Sequence, residues 1–387
     1  MDGPQSMTDH VTRAREAMEA AGLDLLLLTS PADIAYLTGF RFSPWEHLAA
    51  LAVPLEGRMR FLLPGYEEAG VAAAVPEETE LFMFPEVGSD AEAFRGFREG
   101  LDRFEHVAIT RASTSVDHAE RLAAGLGTNG GVLDCSRLIG GLRAVKDEEE
   151  IALIAEASQI GDRAVQRMID TCLFPGAREA DLGGELSRIL RLEGADGSAF
   201  EPGITAGWRS ALPHGPDHSR RSGEKPGQDT IQAGELLIFD FSVVAGGYIA
   251  DLSRTYVLGE SEPRQREIFE VVKQAQSAAI AACVAGNQVS EVDRVAKAII
   301  ADAGYADCSP QKTGHGVGIE LHELPFVSTF DDGVLEAGMT FAVEPAIYLD
   351  GYGGARVEDV VVVQPEGPAR ILTDPSSQER LELPVGE

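Results

Sequence analysis

Cysteine is scarce in this sequence and is not arranged in pairs. The four cysteines, Cys135, Cys172, Cys283 and Cys308, lie far apart and form no C-x-x-C motif. This spacing argues against a disulfide-stapled scaffold, and equally against a zinc knuckle or a redox motif. We therefore expect all four thiols to be reduced and structural.

Positive charge and long apolar runs are also lacking. Lys and Arg number 32 against 63 Asp and Glu, which gives a formal net charge of -31. Such an acidic chain repels nucleic acid and anionic membranes, so neither is an expected partner. No run approaches the roughly 18 consecutive apolar residues of a membrane helix. The start, MDGPQSMTDH, lacks the pattern of a secretory signal, and we expect a cytoplasmic protein.

The chain contains two regions of different pattern. Its 387 residues suffice for two or three domains at about 150 residues each. Helical and strand patterns alternate at first, as in a small α/β domain. Gly140 and Gly141 then indicate a break of the chain, and an acidic turn after Lys146 begins a long amphipathic stretch that predicts a helix. We expect domains at 1–140 and 141–387.

The sharpest chemical signal is a pair of aspartates on two apolar strand patterns. Residues 235–259, ELLIFDFSVVAGGYIADLSRTYVLG, are typical of a hairpin around two glycines. A loop formed by the first glycine and the alanine before it sets Asp240 opposite Asp251, whereas a loop formed by the two glycines sets Asp251 opposite Ser242. Alternation places both aspartates on one face in either register. The alternative, for either residue alone, is a backbone cap or a solvent-facing charge.

Two glutamates repeat this arrangement further along the chain. In MTFAVEPAIYLD, Glu344 lies on the face opposite the apolar side chains. In GARVEDVVVVQ, Arg356 and Glu358 share one face of a β-branched run. Four carboxylates that converge on a half-buried sheet repel one another and lose hydration unless a cation compensates them. The pattern therefore predicts a metal site.

A histidine completes the candidate ligand set. In TGHGVGIELHELPF, His315 lies between glycines that permit close approach of the backbone, and His322 follows on the same segment. Either histidine alone is more often a polar residue satisfied within the fold. Four carboxylates and one neutral imidazole match the charge of two divalent cations. Oxygen ligands with one nitrogen and no thiolate favour manganese, cobalt, iron or zinc over calcium or copper(I).

These motifs together resemble a known family, the dinuclear metallopeptidases of the pita-bread fold. That family includes methionine aminopeptidase, aminopeptidase P, prolidase (Xaa-Pro dipeptidase) and the metal-free creatinase. The segments AYLTGF and LRAVKDEEEIALIAEAS resemble its creatinase-like N-terminal domain and the entry to its catalytic domain. Because methionine aminopeptidases usually lack such a front domain and creatinase lacks the ligands, the proline-directed peptidases fit best. The ligand positions present in order are Asp240, Asp251, His315, Glu344 and Glu358.

The resemblance implies an α/β (α+β) architecture. A creatinase-like α/β domain with a mixed sheet is followed by a pita-bread catalytic domain, a curved antiparallel sheet flanked by helices. The implied protein is a homodimeric Xaa-Pro dipeptidase that cleaves proline-containing di- or short peptides with two divalent metal ions. Manganese is the expected metal, with cobalt or zinc as alternatives. The alternative functions are an Xaa-Pro aminopeptidase for longer peptides and a metal-free peptide-binding module on the same fold.

The resemblance also implies roles for individual residues. A metal-bridging hydroxide attacks the scissile carbonyl, Glu344 passes a proton to the proline nitrogen, and His322 stabilises the oxyanion. Arg356 holds a ligand carboxylate or the C-terminus of a dipeptide, with an internal ion pair to Asp359 or a neighbour as the alternative. The loop 33–47 reaches the partner subunit's active site or is only a surface loop. With His214 helping to close the proline pocket, the expected substrate-binding residues are His214, His322, Arg356, Asp33, Arg41 and Trp45.

Overall fold

The structure is a computed structural model that describes residues 3–43, 47–77, 79–86, 91–123, 132–213, 215 and 229–385. The chain divides into two compact units, Met1–Arg143 and Ala144–Glu387. The boundary expected after residue 140 lies close to the end of the first unit. Among the helices in the described ranges, none combines the length and apolar character that a membrane crossing requires.

The first unit contains one mixed sheet. Its strands are β1 Leu25–Leu28, β2 Ala50–Pro54, β3 Arg60–Pro64, β4 Glu80–Phe84, β5 Val107–Ile109 and β6 Leu133–Asp134. Its helices are α1 Gly3–Ala21, α2 Pro31–Thr38, α3 Glu68–Ala74, α4 Ala91–Arg98, α5 Val116–Ala123 and α6 Ser136–Ala144. The strand order is β4-β3-β2-β1-β5-β6, in which β1 is antiparallel to β2 and parallel to β5. The expected mixed sheet is confirmed.

Two helices of the first unit depart from the sequence-based expectation. Helix α6 continues through Gly140 and Gly141, so the predicted break at these glycines is wrong. Each glycine costs a helix about 1 kcal/mol relative to alanine, a cost that burial of Ile139 helps to offset. Helix α2 escapes prediction because it is buried almost throughout and therefore has no amphipathic period.

The second unit contains four helices and eleven strands within its described residues. The helices are α7 Glu148–Thr171, α8 Glu179–Glu193, α9 Pro263–Ala282 and α10 Val289–Asp302. The strands are β7 Gly203–Ala206, β8 Leu236–Ala245, β9 Tyr248–Leu258, β10 Gly314–Gly316, β11 Glu323–Val327, β12 Thr340–Val343, β13 Ala346–Leu349, β14 Gly353–Arg356, β15 Asp359–Val362, β16 Arg370–Ile371 and β17 Glu382–Leu383. Helix α7 begins with a capping box, in which the side chains of Asp147 and Glu150 each accept a hydrogen bond from the other's amide.

The strands of the second unit form three sheets of mainly antiparallel pairs. Their orders are β17-β9-β8-β7, β11-β10-β12-β15-β16 and β13-β14, and only β17 runs parallel to its neighbour. Helices α7 and α8 form one buried cluster with Phe239 and Phe241 of β8. Helices α9 and α10 form a second cluster with Phe341 and Val343 of β12. The predicted apolar faces therefore pack on helices, and the polar side chains between them point the other way.

The β8–β9 hairpin has the second of the two predicted registers. Asp251 lies opposite Ser242, and the two-residue loop is formed by Gly246 and Gly247. Their φ angles are 54° and 81°, the positive values that a type I′ turn requires at both positions. Both glycines are therefore needed for this register.

The β-branched run from residue 354 is two strands rather than one. β14 pairs with β13, and β15 pairs with β12 in a different sheet. Glu358 lies between the two strands and forms an isolated bridge with Ser253 of β9. This junction carries Glu358 to the hairpin that holds both aspartates.

Candidate metal centre

Four carboxylates and one imidazole meet between the sheets of the second unit. Asp240 lies in β8, Asp251 in β9 and His315 in β10, while Glu344 follows β12 directly and Glu358 precedes β15. Their side chains form groups whose ligand atoms lie within 4.8 Å of one another. The groups are Asp240, Asp251 and Glu358; His315, Glu344 and Glu358; and Asp251, His315 and His322. All five residues of the candidate ligand set are thus brought together.

The imidazole of His315 presents its Nε2 to the carboxylates. Its Nδ1–H donates to the carbonyl of Gly316 at 3.2 Å, which leaves Nε2 without a proton in the neutral ring. Nε2 lies 3.5 Å from Oδ2 of Asp251 and 3.4 Å from Oε1 of Glu344. Atoms that can only accept protons or bind cations therefore face one another, which is the arrangement of metal ligands.

Arg356 and Ser253 contact two of the four carboxylates. Nη2 of Arg356 lies 2.5 Å from Oδ2 of Asp240, and its Nε donates to Oγ of Ser253 at 2.7 Å. That hydroxyl in turn donates to Oε2 of Glu358 at 2.6 Å. Nη1 of Arg356 donates to the hydroxyl of Tyr348 at 3.0 Å. A single guanidinium therefore holds two carboxylates, one directly and one through a serine.

Burial and mutual repulsion shift the acid–base properties of the cluster. Burial, and then the negative charges of the other three carboxylates, raise the pKa of Asp251 well above its usual value. Burial and the charge of Glu344 raise the pKa of Glu358 to about 8, and burial raises the pKa of Glu344 as well. Burial lowers the pKa of His315 to about 3, so its imidazole is neutral. One arginine does not neutralise this concentration of carboxylates.

The residues present fit divalent metal ions. Oδ1 of Asp251 and Oε1 of Glu358 are buried and accept no hydrogen bond from the described residues. Burying acceptors without partners costs free energy that a bound cation removes. The donor set of carboxylate oxygens and one imidazole nitrogen suits the metals expected from the sequence.

The cluster lines a cavity of about 810 Å³. His322 is exposed on its wall, and the centroid of its ring lies 4.0 Å from that of His315. Lys312 and Phe330 also line the cavity. The wall therefore combines charged and aromatic groups.

Gly314 offers a test of how closely the strands around His315 pack. A Cβ atom at this position would lie 2.0 Å from the carbonyl oxygen of Ala342 in β12. We expect Gly314→Ala to push β10 away, to lower the free energy of unfolding by about 1–3 kcal/mol or more, and to weaken metal binding. Gly184→Ala is the control, because nothing lies within 4 Å of its Cβ in helix α8. Denaturant unfolding should show that the control is about 0.5–1 kcal/mol more stable than wild type, whereas equal stability of the two variants would contradict the prediction.

The other predicted substrate-binding residues are Asp33, Arg41 and Trp45 of the front domain and His214 of the second domain. Asp33 is buried, and its Oδ1 lies 2.7 Å from Nη1 of Arg143 within the first unit. Arg41 is exposed. Trp45 and His214 lie outside the described residues. The roles of all four in substrate binding stay predictions.

Two residues of the cluster were missed by reasoning from the sequence. Ser253 lies two positions after Asp251, so alternation along β9 could have placed it on the same face. Tyr348, which contacts Arg356, lies in a separate strand and offers no such local signal.

The chain belongs to metallopeptidase family M24. The model of that family matches residues 152–365, and the creatinase/prolidase N-terminal domain matches residues 10–145. The resemblance inferred from the motifs is thereby confirmed, and so is the enzyme class. Membership of a metallopeptidase family implies divalent metal ions, and the cluster above contains groups that could hold them.

Proteins of known or assigned activity are similar over nearly the whole chain. An Xaa-Pro dipeptidase of Lactobacillus delbrueckii subsp. lactis is 31% identical, over 90% of this chain and 93% of its own length. A dipeptidase structure from Pyrococcus horikoshii has a TM-score of 0.84 at 32% identity, covering 97% of this chain and 99% of its own. An X-Pro aminopeptidase structure from Thermotoga maritima has a TM-score of 0.80 at 26% identity, covering 96% and 100%.

Proposed function

We propose that this protein hydrolyses the Xaa-Pro bond of dipeptides with two divalent metal ions. The observation that carries the proposal is the pair of ligand groups that share Glu358 on the cavity wall, one completed by Asp240 and Asp251 and the other by His315 and Glu344. Two groups with one shared carboxylate suit two neighbouring ions. The similarity to an Xaa-Pro dipeptidase supports the substrate class.

Manganese is the metal we propose, with cobalt or zinc as alternatives. Mixed oxygen and nitrogen ligation fits each of them. Bound divalent ions would supply an activated water and polarise the scissile carbonyl.

In this proposal Glu344 transfers the proton, and His322 stabilises the negative charge that develops on the carbonyl oxygen. The side chain of Glu344 is 18% exposed, so the carboxylate reaches the cavity and can accept a proton from the attacking water. It then delivers that proton to the proline nitrogen, which must be protonated to leave as an amine. His322, on the same wall, donates a hydrogen bond to the oxyanion. We also propose that His214 helps to close the pocket that receives the proline ring.

Arg356 acts by holding Asp240 in place. All three of its side-chain nitrogens have partners: Asp240, Ser253, Tyr348 and the carbonyl of Pro213. These contacts favour the ligand-holding alternative over binding of a substrate C-terminus. Asp359, the alternative partner, pairs with Arg254 at 3.1 Å.

The restriction to dipeptides needs an element besides the cavity. A cavity of about 810 Å³ accepts drug-sized ligands, which are larger than a dipeptide. The segment 33–47 is not a loop throughout, because it belongs to helix α2 as far as Thr38. We therefore propose a homodimer in which this segment of each chain, including the exposed Arg41, limits the partner subunit's cavity. The four free cysteines favour a reducing compartment, which supports the cytoplasm.

The second candidate is an Xaa-Pro aminopeptidase that acts on longer peptides. The size of the cavity and the likeness to an X-Pro aminopeptidase structure favour it. A metal-free peptide-binding module has less support, because all five ligands are present.

Substrate length distinguishes the two peptidases. The purified protein is assayed with Xaa-Pro and with Xaa-Pro-Xaa peptides of the same first residue, in Mn²⁺, Co²⁺ or Zn²⁺, and its metal content is measured. We expect about two ions per chain and much higher kcat/KM on the dipeptides. Comparable turnover of tripeptides would favour the aminopeptidase, and absence of bound metal with no hydrolysis would favour the binding module.

A further inference from the structure

A buried ion pair lies directly beside His322. Nζ of Lys146 donates to Oε1 of Glu323 at 2.6 Å, and the two side chains are 1% and 4% exposed. Burial of two charges costs several kcal/mol per ion, and replacement of such a pair by apolar residues is often neutral or stabilising. Stability of the core alone therefore does not account for this pair.

The pair restrains the residue next to His322. Glu323 is the first residue of β11, and successive residues of a strand point to opposite sides. Glu323 is directed into the interior, whereas His322 is exposed on the cavity wall next to His315. Because His322 and Glu323 share a peptide unit, fixing one side chain limits rotation of the backbone that carries the other.

The loop that precedes β11 also contacts the ion pair. The amide of Glu320 donates to Oε2 of Glu323 at 3.4 Å. A Cβ atom at Gly318 would lie 2.3 Å from Oε1 of Glu323 and 3.0 Å from Cε of Lys146. The amide of Ile249 in β9 donates to the carbonyl of Gly318 at 2.8 Å. The carboxylate of Glu323 is therefore enclosed by the loop that it supports.

Backbone contacts fix the position of Lys146, the other member of the ion pair. Its amide donates to the carbonyl of Gly338 at 3.0 Å, and the preceding Val145 forms a bridge with Met339. The following residue, Asp147, caps helix α7. The backbone of Lys146 is thus fixed by an isolated bridge before it and by the start of a helix after it.

We infer that Lys146 is a positioning residue for His322 and acts through Glu323. The inference rests on the catalytic role proposed above for His322. The two residues come from the motifs LRAVKDEEE and HELP, and they lie 177 positions apart in the sequence. The inferred role therefore links both motifs to His322. In this arrangement the ion pair holds the imidazole at a fixed place on the cavity wall.

The test uses the metal-loaded protein and the variants Lys146→Met, Glu323→Gln and the double variant. Each single change leaves a buried polar or charged group without its partner and is expected to lower the Tm. The double variant has no buried unpaired charge, so its Tm should recover. Its kcat on an Xaa-Pro dipeptide should nevertheless stay about 10- to 100-fold below wild type, because displacement of a catalytic group has effects of this size. KM and metal content should change little.

A spectroscopic readout and a matched control complete the test. With histidine labelled at Cε1 and zinc as a diamagnetic metal, the resonance of His322, assigned with His322→Ala, should shift or broaden in the double variant. Lys273→Met removes a lysine from helix α9 and should leave kcat and this resonance unchanged. Should the single variants fail to fold, the double variant carries the test.

Four results would overturn the inference or the proposal on which it rests. A double variant with both wild-type Tm and wild-type kcat would make the pair purely structural. A low kcat with an unchanged His322 resonance would locate the damage elsewhere. Full turnover by His322→Ala would remove the proposed role of His322 itself, whereas loss of turnover in His322→Ala with full turnover in the double variant would refute only the positioning role of Lys146.

Discussion

Replacement of Asp251 by asparagine is expected to abolish peptide hydrolysis and at the same time to stabilise the metal-free protein. Asp251 is 5% exposed, and its Oδ1 has no hydrogen-bond partner among the described residues. Without a cation, the carboxylate bears the cost of burial and of repulsion by its three acidic neighbours. Asparagine has nearly the same shape and no charge. The metal-free variant should therefore unfold at a higher temperature than the metal-free wild type.

The two effects are measured separately. Thermal unfolding in a chelator gives the stability of the metal-free protein, and elemental analysis after dialysis gives bound metal per chain. We expect kcat/KM to fall by several orders of magnitude with loss of metal, because a ligand of the cluster is removed. Asp302→Asn, at the exposed end of helix α10, should change neither quantity. An Asp251→Asn protein that binds metal normally and is less stable than wild type in chelator would refute the metal assignment.

Replacement of His322 by alanine is expected to lower kcat about 10²–10³-fold while the metal content stays at the wild-type value. The expected loss is that of one preorganised donor to an oxyanion. The rival interpretation is that His322 is itself a ligand, since its ring nitrogen lies within 4.8 Å of ligand atoms of Asp251 and His315. Metal affinity therefore decides between the two interpretations.

The measurement is a metal titration in parallel with steady-state kinetics. His118→Ala is the matched control, because this histidine lies in helix α5 of the first unit. Unchanged metal affinity with reduced kcat supports the catalytic role. Weakened metal binding in proportion to the lost activity would instead make His322 a ligand.

Much of the fold could be predicted because its patterns are local. The capping box at Asp147, the turn at Gly246-Gly247 and the apolar face of β8 all follow from a few neighbouring residues. Helix α6 shows where this reasoning fails. Its two glycines have low helix propensity, yet packing outweighs a cost of about 1 kcal/mol for each.

The positions of some candidate ligands could also be predicted from local patterns. Alternation placed Asp240 and Asp251 on one face of their hairpin. The glycines beside His315 indicated close approach of the backbone, in agreement with the 2.0 Å between a Cβ at Gly314 and the carbonyl oxygen of Ala342. The partners of these groups were less accessible. Whether Arg356 pairs with Asp240 or Asp359 depends on how β14 and β15 separate into two sheets.

The sequence alone determined that Asp240 and Asp251 share one face of their hairpin, because side-chain alternation and turn geometry depend on immediate neighbours, and the resemblance of its motifs proposed the five candidate ligands. The tertiary structure alone decided that Ser253 joins Arg356 to Glu358 and that Lys146 meets Glu323. Those contacts join residues more than a hundred positions apart. They depend on how separate strands and helices pack, and no local period in the sequence records that packing.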